Sequence, residues 1–502
     1  MRKQLLCGAL TLSMVLGAAA PAFAFGLFGG GDDSEFDQVT YAYATFNNIP
    51  AEEDLAVVEE AINVITREEI GAEITLKPIF IGDYSSSVNL SLQAGEKIDV
   101  IQSVGDFNNA VSTGMAMDLT DLLDEYAPES KELMGDAWLA ACSFEGRIYG
   151  LPTYKPIALT PMVVYRQDIA DELGIDMSAV NSIDDVTAVL EAVKAGRSDI
   201  TPLAPVEAGS LGLNRTYGEV DWLTDDYNTP VGVLIGDDLT VVDLYSSDVF
   251  KERCALARSW NENGLSMKDA ATTTSMAAEL MSSGNYFCYM AAYSYPEADT
   301  AASLQAQCGN YPIGAKIIGD AYLTTADINA LTWMIASNCE VPEAALRFLN
   351  MTFTDERIVN LLIYGIEGRD YVLSEDGYAS YPEGEDAATV PYTAQLSCGT
   401  LGNFFIMFPT VGTNKESLTW ELEQNQEAAT SPAMGFTFDA SSYRTQYTAV
   451  KNVISQYLNG LLCGSVDPET EIPKFVSALN DAGYQDILAG KQEQLDAWAA
   501  QQ

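Results

Sequence analysis

The segment Glu145-Gly-Arg-Ile-Tyr-Gly-Leu-Pro-Thr-Tyr-Lys-Pro-Ile-Ala-Leu-Thr-Pro-Met-Val-Val-Tyr-Arg166 decides how this chain divides. Gly146, Gly150, Pro152, Pro156 and Pro161 interrupt it too often for a helix, and the prolines fix an extended path. Residues 162–165 form a short apolar strand that feeds a helix over 168–173, stopped by Gly174. One α/β unit precedes the segment and another begins after it. It therefore reads as the first crossing between two lobes, with a ligand cleft beside it.

Upstream, residues 39–46 are rich in Tyr, Thr and Val and read as a strand. Leu55, Val58, Ile62 and Ile65 then recur at helical spacing, and Glu52, Glu53 and Asp54 suit the positive end of that helix. A strand over 74–81, a helix over 88–94 and a third strand over 99–103 complete a βαβ pattern. That pattern predicts a parallel sheet with helices on its faces. Such sheets bind ligands at the carboxyl ends of their strands, where Asn47 and Asp106 fall.

Downstream, Ser182 and Asp185 form a capping box for a helix that turns Ile183, Val186, Leu190 and Val193 inward and ends at Gly196. Residues 197–248 are turn-rich and contain Trp222. Helices are predicted over 250–261 and 275–281. A buried strand over 285–290 leads to Tyr293 and Tyr295, which share one face if extended. Residues 311–318 read as the return crossing and 330–336 as a strand. Pro342 opens a helix carrying Ala345, Phe348 and Leu349.

The bulk composition removes whole classes of function. A formal charge of −47 over 502 residues repels nucleic acid and anionic lipid and disfavours polyanionic ligands. The chain contains no histidine, which excludes Ser-His-Asp and Cys-His catalysis and His-ligated zinc. A two-carboxylate glycoside hydrolase survives that cut, but no local catalytic motif supports one. No enzyme, cofactor or metal is expected; 467–471 lacks EF-hand spacing and reads as a turn with a helix cap.

The N-terminus has the form of a signal peptide. Met1-Arg-Lys-Gln is positive, 5–20 is apolar, and Ala22-Phe-Ala24 marks cleavage near Ala24. Residues 25–37 form a flexible leader. Cys7 stands at the start of the apolar run, the wrong place for a lipid-modified cysteine, so a soluble exported protein is expected. The other cysteines, Cys142, Cys254, Cys288, Cys308, Cys339, Cys398 and Cys463, are scattered and odd in number. They read as small core residues.

Two stretches carry a family resemblance. The quoted crossing resembles that of ABC-transporter solute-binding proteins of the family 1 extracellular type, in which a "yGlP" element precedes a strand ending in Tyr-Asn or Tyr-Arg. Thr354-Asp-Glu-Arg-Ile-Val-Asn-Leu-Leu-Ile-Tyr-Gly-Ile-Glu-Gly-Arg-Asp-Tyr371 resembles the signature of the subfamily with a DUF3502 C-terminal region. Gly435-Phe-Thr-Phe-Asp439, Val450-Lys-Asn-Val-Ile-Ser-Gln-Tyr457, Gly464-Ser-Val-Asp-Pro468, Leu479-Asn-Asp-Ala-Gly483 and Gln494-Leu-Asp-Ala-Trp498 follow in the subfamily's order.

The resemblance implies an α/β, two-lobed periplasmic-binding-protein-like fold of type II with a hinge between the lobes. Lobe 1 would hold 38–157 plus 320–365, and lobe 2 would hold 158–319 plus 366–502. It implies the extracytoplasmic substrate-binding component of an ABC importer, acting as a monomer. Such a protein captures a neutral oligosaccharide in the interlobe cleft and delivers it to the membrane permease. A peptide or another small solute on the same framework is the alternative. Aromatic faces stack on sugar rings, so Tyr43, Tyr154, Trp222, Tyr293, Tyr295 and Trp333 are candidate platforms. Asn47, Asp106, Glu367 and Arg369 are candidates to bond hydroxyls. For any single ring, a place in the core is the stronger reading.

Overall fold

The computed structural model describes residues 35–46, 49–207, 209–394 and 400–501. The signal segment, most of the leader, Asn47 and Cys398 lie outside the described residues.

The strand Asp37–Thr45 pairs in parallel with Ala72–Phe80 and Val100–Val104, and the helices Glu52–Glu69 and Tyr84–Gln93 make the connections. This is the expected βαβ unit. Leu331–Ile335 joins the sheet antiparallel to Val100–Val104, and Leu151–Pro152 pairs with it at the edge. On one face Val58, Ile62, Trp138, Phe348, Leu349 and Leu362 surround Tyr41 and Trp333. On the other, Val88, Phe107 and Val111 cover Ala42 and Ala44. Helices on both faces explain why residues 41–45 are all buried rather than alternating.

The first crossing leaves this sheet after Pro152 and enters a second as Thr160–Arg166, every residue of which is buried. That strand runs antiparallel to both Tyr286–Tyr293 and Ile313–Ile317, and Thr201–Leu203 completes the sheet. The helix Gln167–Leu173 follows and ends at Gly174, whose φ of 63° is the left-handed cap read from the sequence. The Ser182–Asp185 capping box is present on Ile183–Gly196. This helix and Asp248–Glu262 cover one face of the second sheet, while Ala277–Ser282 and Glu297–Gln305 cover the other.

A third core joins 220–254 to the C-terminal helices Arg444–Leu462, Pro468–Asp481 and Tyr484–Ala499 around Tyr245, Phe250, Phe475 and Tyr484. Asp467 caps the second of these helices by accepting from the Glu469 N–H, as the turn reading had it. The six cysteines among the described residues are all buried and unpaired.

Two expectations are corrected. Residues 311–318 are not the return crossing, because Ile313–Ile317 is a full partner of Thr160–Arg166; the chain crosses back just after it. Residues 366–408 do not go over to the second lobe. Tyr371, Ala379, Tyr392, Ala394 and Leu401 pack into the first sheet's core. The cause is Asp370, 1% exposed, which accepts from the N–H groups of Ile366 and Tyr392 and folds the chain back onto the helix it has just left.

Candidate ligand site at the lobe crossings

Both crossings border one cavity. Ile157, Leu159 and Pro161 come from the first crossing, and Asp320, Tyr322, Thr324 and Asp327 from the second. Trp222 and Tyr217 supply aromatic wall, the two rings meeting edge-on with centroids 6.0 Å apart. This pocket of about 80 Å³ adjoins a larger one of about 720 Å³, and Pro161, Arg215, Tyr217, Gly218, Asp320 and Tyr322 line both. Leu159, 40% exposed, stands open at the crossing.

The loop that presents Trp222 is held from below by two buried carboxylates. Asp221 accepts from the Leu223 N–H at 2.7 Å and from the Ser431 hydroxyl. Asp225 accepts from the Val231 N–H and from the ammonium of the fully buried Lys491, each at 2.9 Å, and from the Tyr447 hydroxyl. Between them Leu223 and Thr224 hold φ of 48° and 69°, a left-handed conformation that residues other than glycine rarely adopt. Such strain persists only where the surroundings over-determine it, and it clusters at ligand sites. Burial pushes the Asp221 carboxyl up to about 6, against the pull of its Ser431 and Leu223 hydrogen bonds. Burial likewise raises Asp327, which caps its short helix through Thr324.

The structure separates the candidates read from the sequence. Trp222 lines the crossing cavity. Tyr295, 45% exposed, lines a different cavity between the helices Glu297–Gln305 and Lys415–Glu427. Tyr293, between them in sequence, is half-buried and shares a 2.9 Å hydroxyl contact with Tyr289. Asp106 is exposed just beyond Val104, at the carboxyl end of its strand, and accepts from the Asn109 side chain. Tyr43 and Trp333 are instead core residues, 1% and 0% exposed. The Tyr43 hydroxyl meets that of Tyr392, while the Trp333 indole donates to the Thr400 carbonyl and stacks on Tyr41. Tyr154 is buried between Trp138 and Phe405. Arg369 pairs with Asp370 and Asp54, so it serves the turn. Tyr217, Tyr322, Asp320 and Asp327 escaped the sequence reading; the one available signal was the pair of aspartates bracketing Trp222.

Two α/β lobes joined by extended crossings, with a cavity at the joint, define a solute-binding protein. The chain belongs to the bacterial extracellular solute-binding protein family, which matches residues 51–357. Residues 432–500 match a domain of unknown function, DUF3502. It is 24% identical over 444 residues to a carbohydrate ABC transporter substrate-binding protein of Streptococcus pneumoniae serotype 4, covering 86% of each chain. Among solved structures, it is similar to the N-glycan transport solute binding protein NgtS of Streptococcus pneumoniae, with TM-score 0.72 and 23% identity. That match covers 92% of this chain and 98% of that one. Against NgtS in complex with Man1GlcNAc, at 22% identity and covering 92% and 99% of the two chains, the TM-score is 0.61. An HMO-binding ABC-transporter-associated solute-binding protein of Bifidobacterium longum infantis gives 0.63 at 16% identity, covering 93% and 99%. No helix among the described residues is long and apolar enough to cross a membrane.

Proposed function

We propose that this protein is the extracytoplasmic binding component of an ABC importer and captures a neutral oligosaccharide at the lobe crossings. The observation that carries the reading is the strained, carboxylate-anchored loop that sets Trp222 beside Tyr217, Tyr322 and Asp320 where both crossings meet. Aromatic faces take the C–H faces of pyranose rings, while carboxylates and hydroxyls at the rim bond sugar hydroxyls. The carbohydrate relatives support the substrate class. The different superposition on the two NgtS structures supports a fold whose lobes change their relative arrangement. In this reading the signal segment is removed near Ala24 and the protein works as a monomer that docks on its permease.

A thermal-shift screen of the secreted chain against neutral oligosaccharides, uronates, amino acids and short peptides tests this. A ligand at about 100 times its dissociation constant adds about 2.7 kcal/mol of stability. The expected result is a shift within one neutral saccharide series, reduced by Trp222→Ala. A response to peptides with silence across sugars overturns the substrate class.

A further inference from the structure

The cavity that Tyr295 lines has a chemistry unlike the crossing pocket. It encloses about 520 Å³ between Glu297–Gln305, on the second sheet's face, and Lys415–Glu427 with the chain that leads into it. Glu421 forms part of its wall and is 1% exposed. Neither carboxyl oxygen of Glu421 has a hydrogen-bond partner among the described residues. Its charged neighbour is another acid, Asp299, which already accepts from the Asn414 amide and the Ser417 hydroxyl. Among the described residues, no lysine or arginine lines the cavity. The remaining walls include Phe404, Tyr295 and Met407.

A buried carboxyl without a partner costs stability and persists where something outside the chain completes it. Two acids facing one space, with no cation among the described lining residues, are complementary to a positive charge. Aromatic faces stabilise the same charge through their quadrupole. The volume suits a small organic molecule. A strongly acidic molecule also raises the local concentration of cations.

We propose that this cavity binds an organic ammonium group, with Glu421 and Asp299 as counter-charges and the rings of Tyr295 and Phe404 as walls. The ammonium group arrives either on an amino sugar or as a free aliphatic amine. The proposal does not rest on the saccharide reading of the crossing pocket.

Isothermal titration calorimetry near neutral pH, with glucosamine, putrescine and glucose as probes, tests it. The expected result is binding of one or both amines at a single site, no competition from glucose, and an affinity at least about tenfold lower in Glu421→Gln. Asp299→Asn gives a smaller loss, and Glu132→Gln, an exposed carboxyl elsewhere, gives none. Binding of glucosamine alone assigns the site to an amino sugar, and binding of putrescine assigns it to free amines. Equal affinity for glucose and glucosamine, no binding of either amine, or an unchanged affinity in Glu421→Gln while the variant melts cooperatively overturns the proposal. A saccharide response in the thermal-shift screen stands or falls separately.

Discussion

Lys491 has no exposed surface, and its ammonium meets Asp225 inside the third core. Burial lowers its affinity for a proton, and Asp225 opposes that shift. Replacing it by methionine keeps the volume but leaves Asp225 short of a counter-charge, with Lys451 at 3.4 Å its remaining ion-pair partner among the described residues. Lys491→Met is expected to cost about 3–5 kcal/mol in urea unfolding. Glu421 works the other way. Burial, aided by Asp299, pushes its carboxyl up to about 7. A folded-state value above the unfolded one means the unfolded chain loses its proton first. Stability contributed at low pH therefore drains away as pH rises from about 4.5 to about 7 and stays lost above. Glu421→Gln should raise stability by about 1–3 kcal/mol near pH 8 and by less near pH 5, read from unfolding midpoints at the two pH values. At this scale the sequence was legible for residue type and blind to direction. Tyr43 and Trp333 looked like ring platforms, yet the strands that carry them are covered on both faces, so no alternation existed to say which side faces a ligand. Glu421 carried nothing in the sequence to set it apart from the chain's other acidic residues.

Among the elements, those with their own start and stop chemistry were readable. The helix Ile183–Gly196 announces itself by its capping box, and Ser182→Ala should cost about 1 kcal/mol in thermal or urea unfolding. The motif Gly464-Ser-Val-Asp-Pro468 gains its physical reason from packing. Gly464 holds φ of 67°, and a Cβ there would stand 2.1 Å from the Ala257 carbonyl oxygen. This turn presses the C-terminal region against the helix Asp248–Glu262. Gly464→Ala is expected to cost more than the about 1 kcal/mol of a left-handed alanine, since backbone has to move, and unfolding midpoints would show it. The helices Pro128–Ala141 and Lys415–Glu427 went unread for identifiable causes. The first breaks at Gly135, whose φ of 66° and ψ of 175° interrupt its period. The last buries Ser417, Glu421 and Asn425, polar residues that give no apolar stripe.

For the whole molecule, the division into two α/β lobes followed from one proline-rich crossing, whereas the third core needed contacts between residues more than two hundred positions apart. If the lobes swing shut on a saccharide, small-angle scattering at saturation should show a smaller radius of gyration than the free protein; an unchanged radius would rule out closure.

Asn425 would shape how such a swing is made. Its side-chain oxygen accepts from the Ile157 and Ala158 N–H groups, and its amide donates to the Lys155 carbonyl. One side chain thus does for the crossing what a neighbouring strand does inside a sheet, without fixing a register along it. A joint of this kind can twist while keeping its peptide groups dry. Its amides should be among the slow ones in hydrogen exchange although no ladder holds them, and Asn425→Ala should turn them fast, leaving a hinge that swells with water instead of turning.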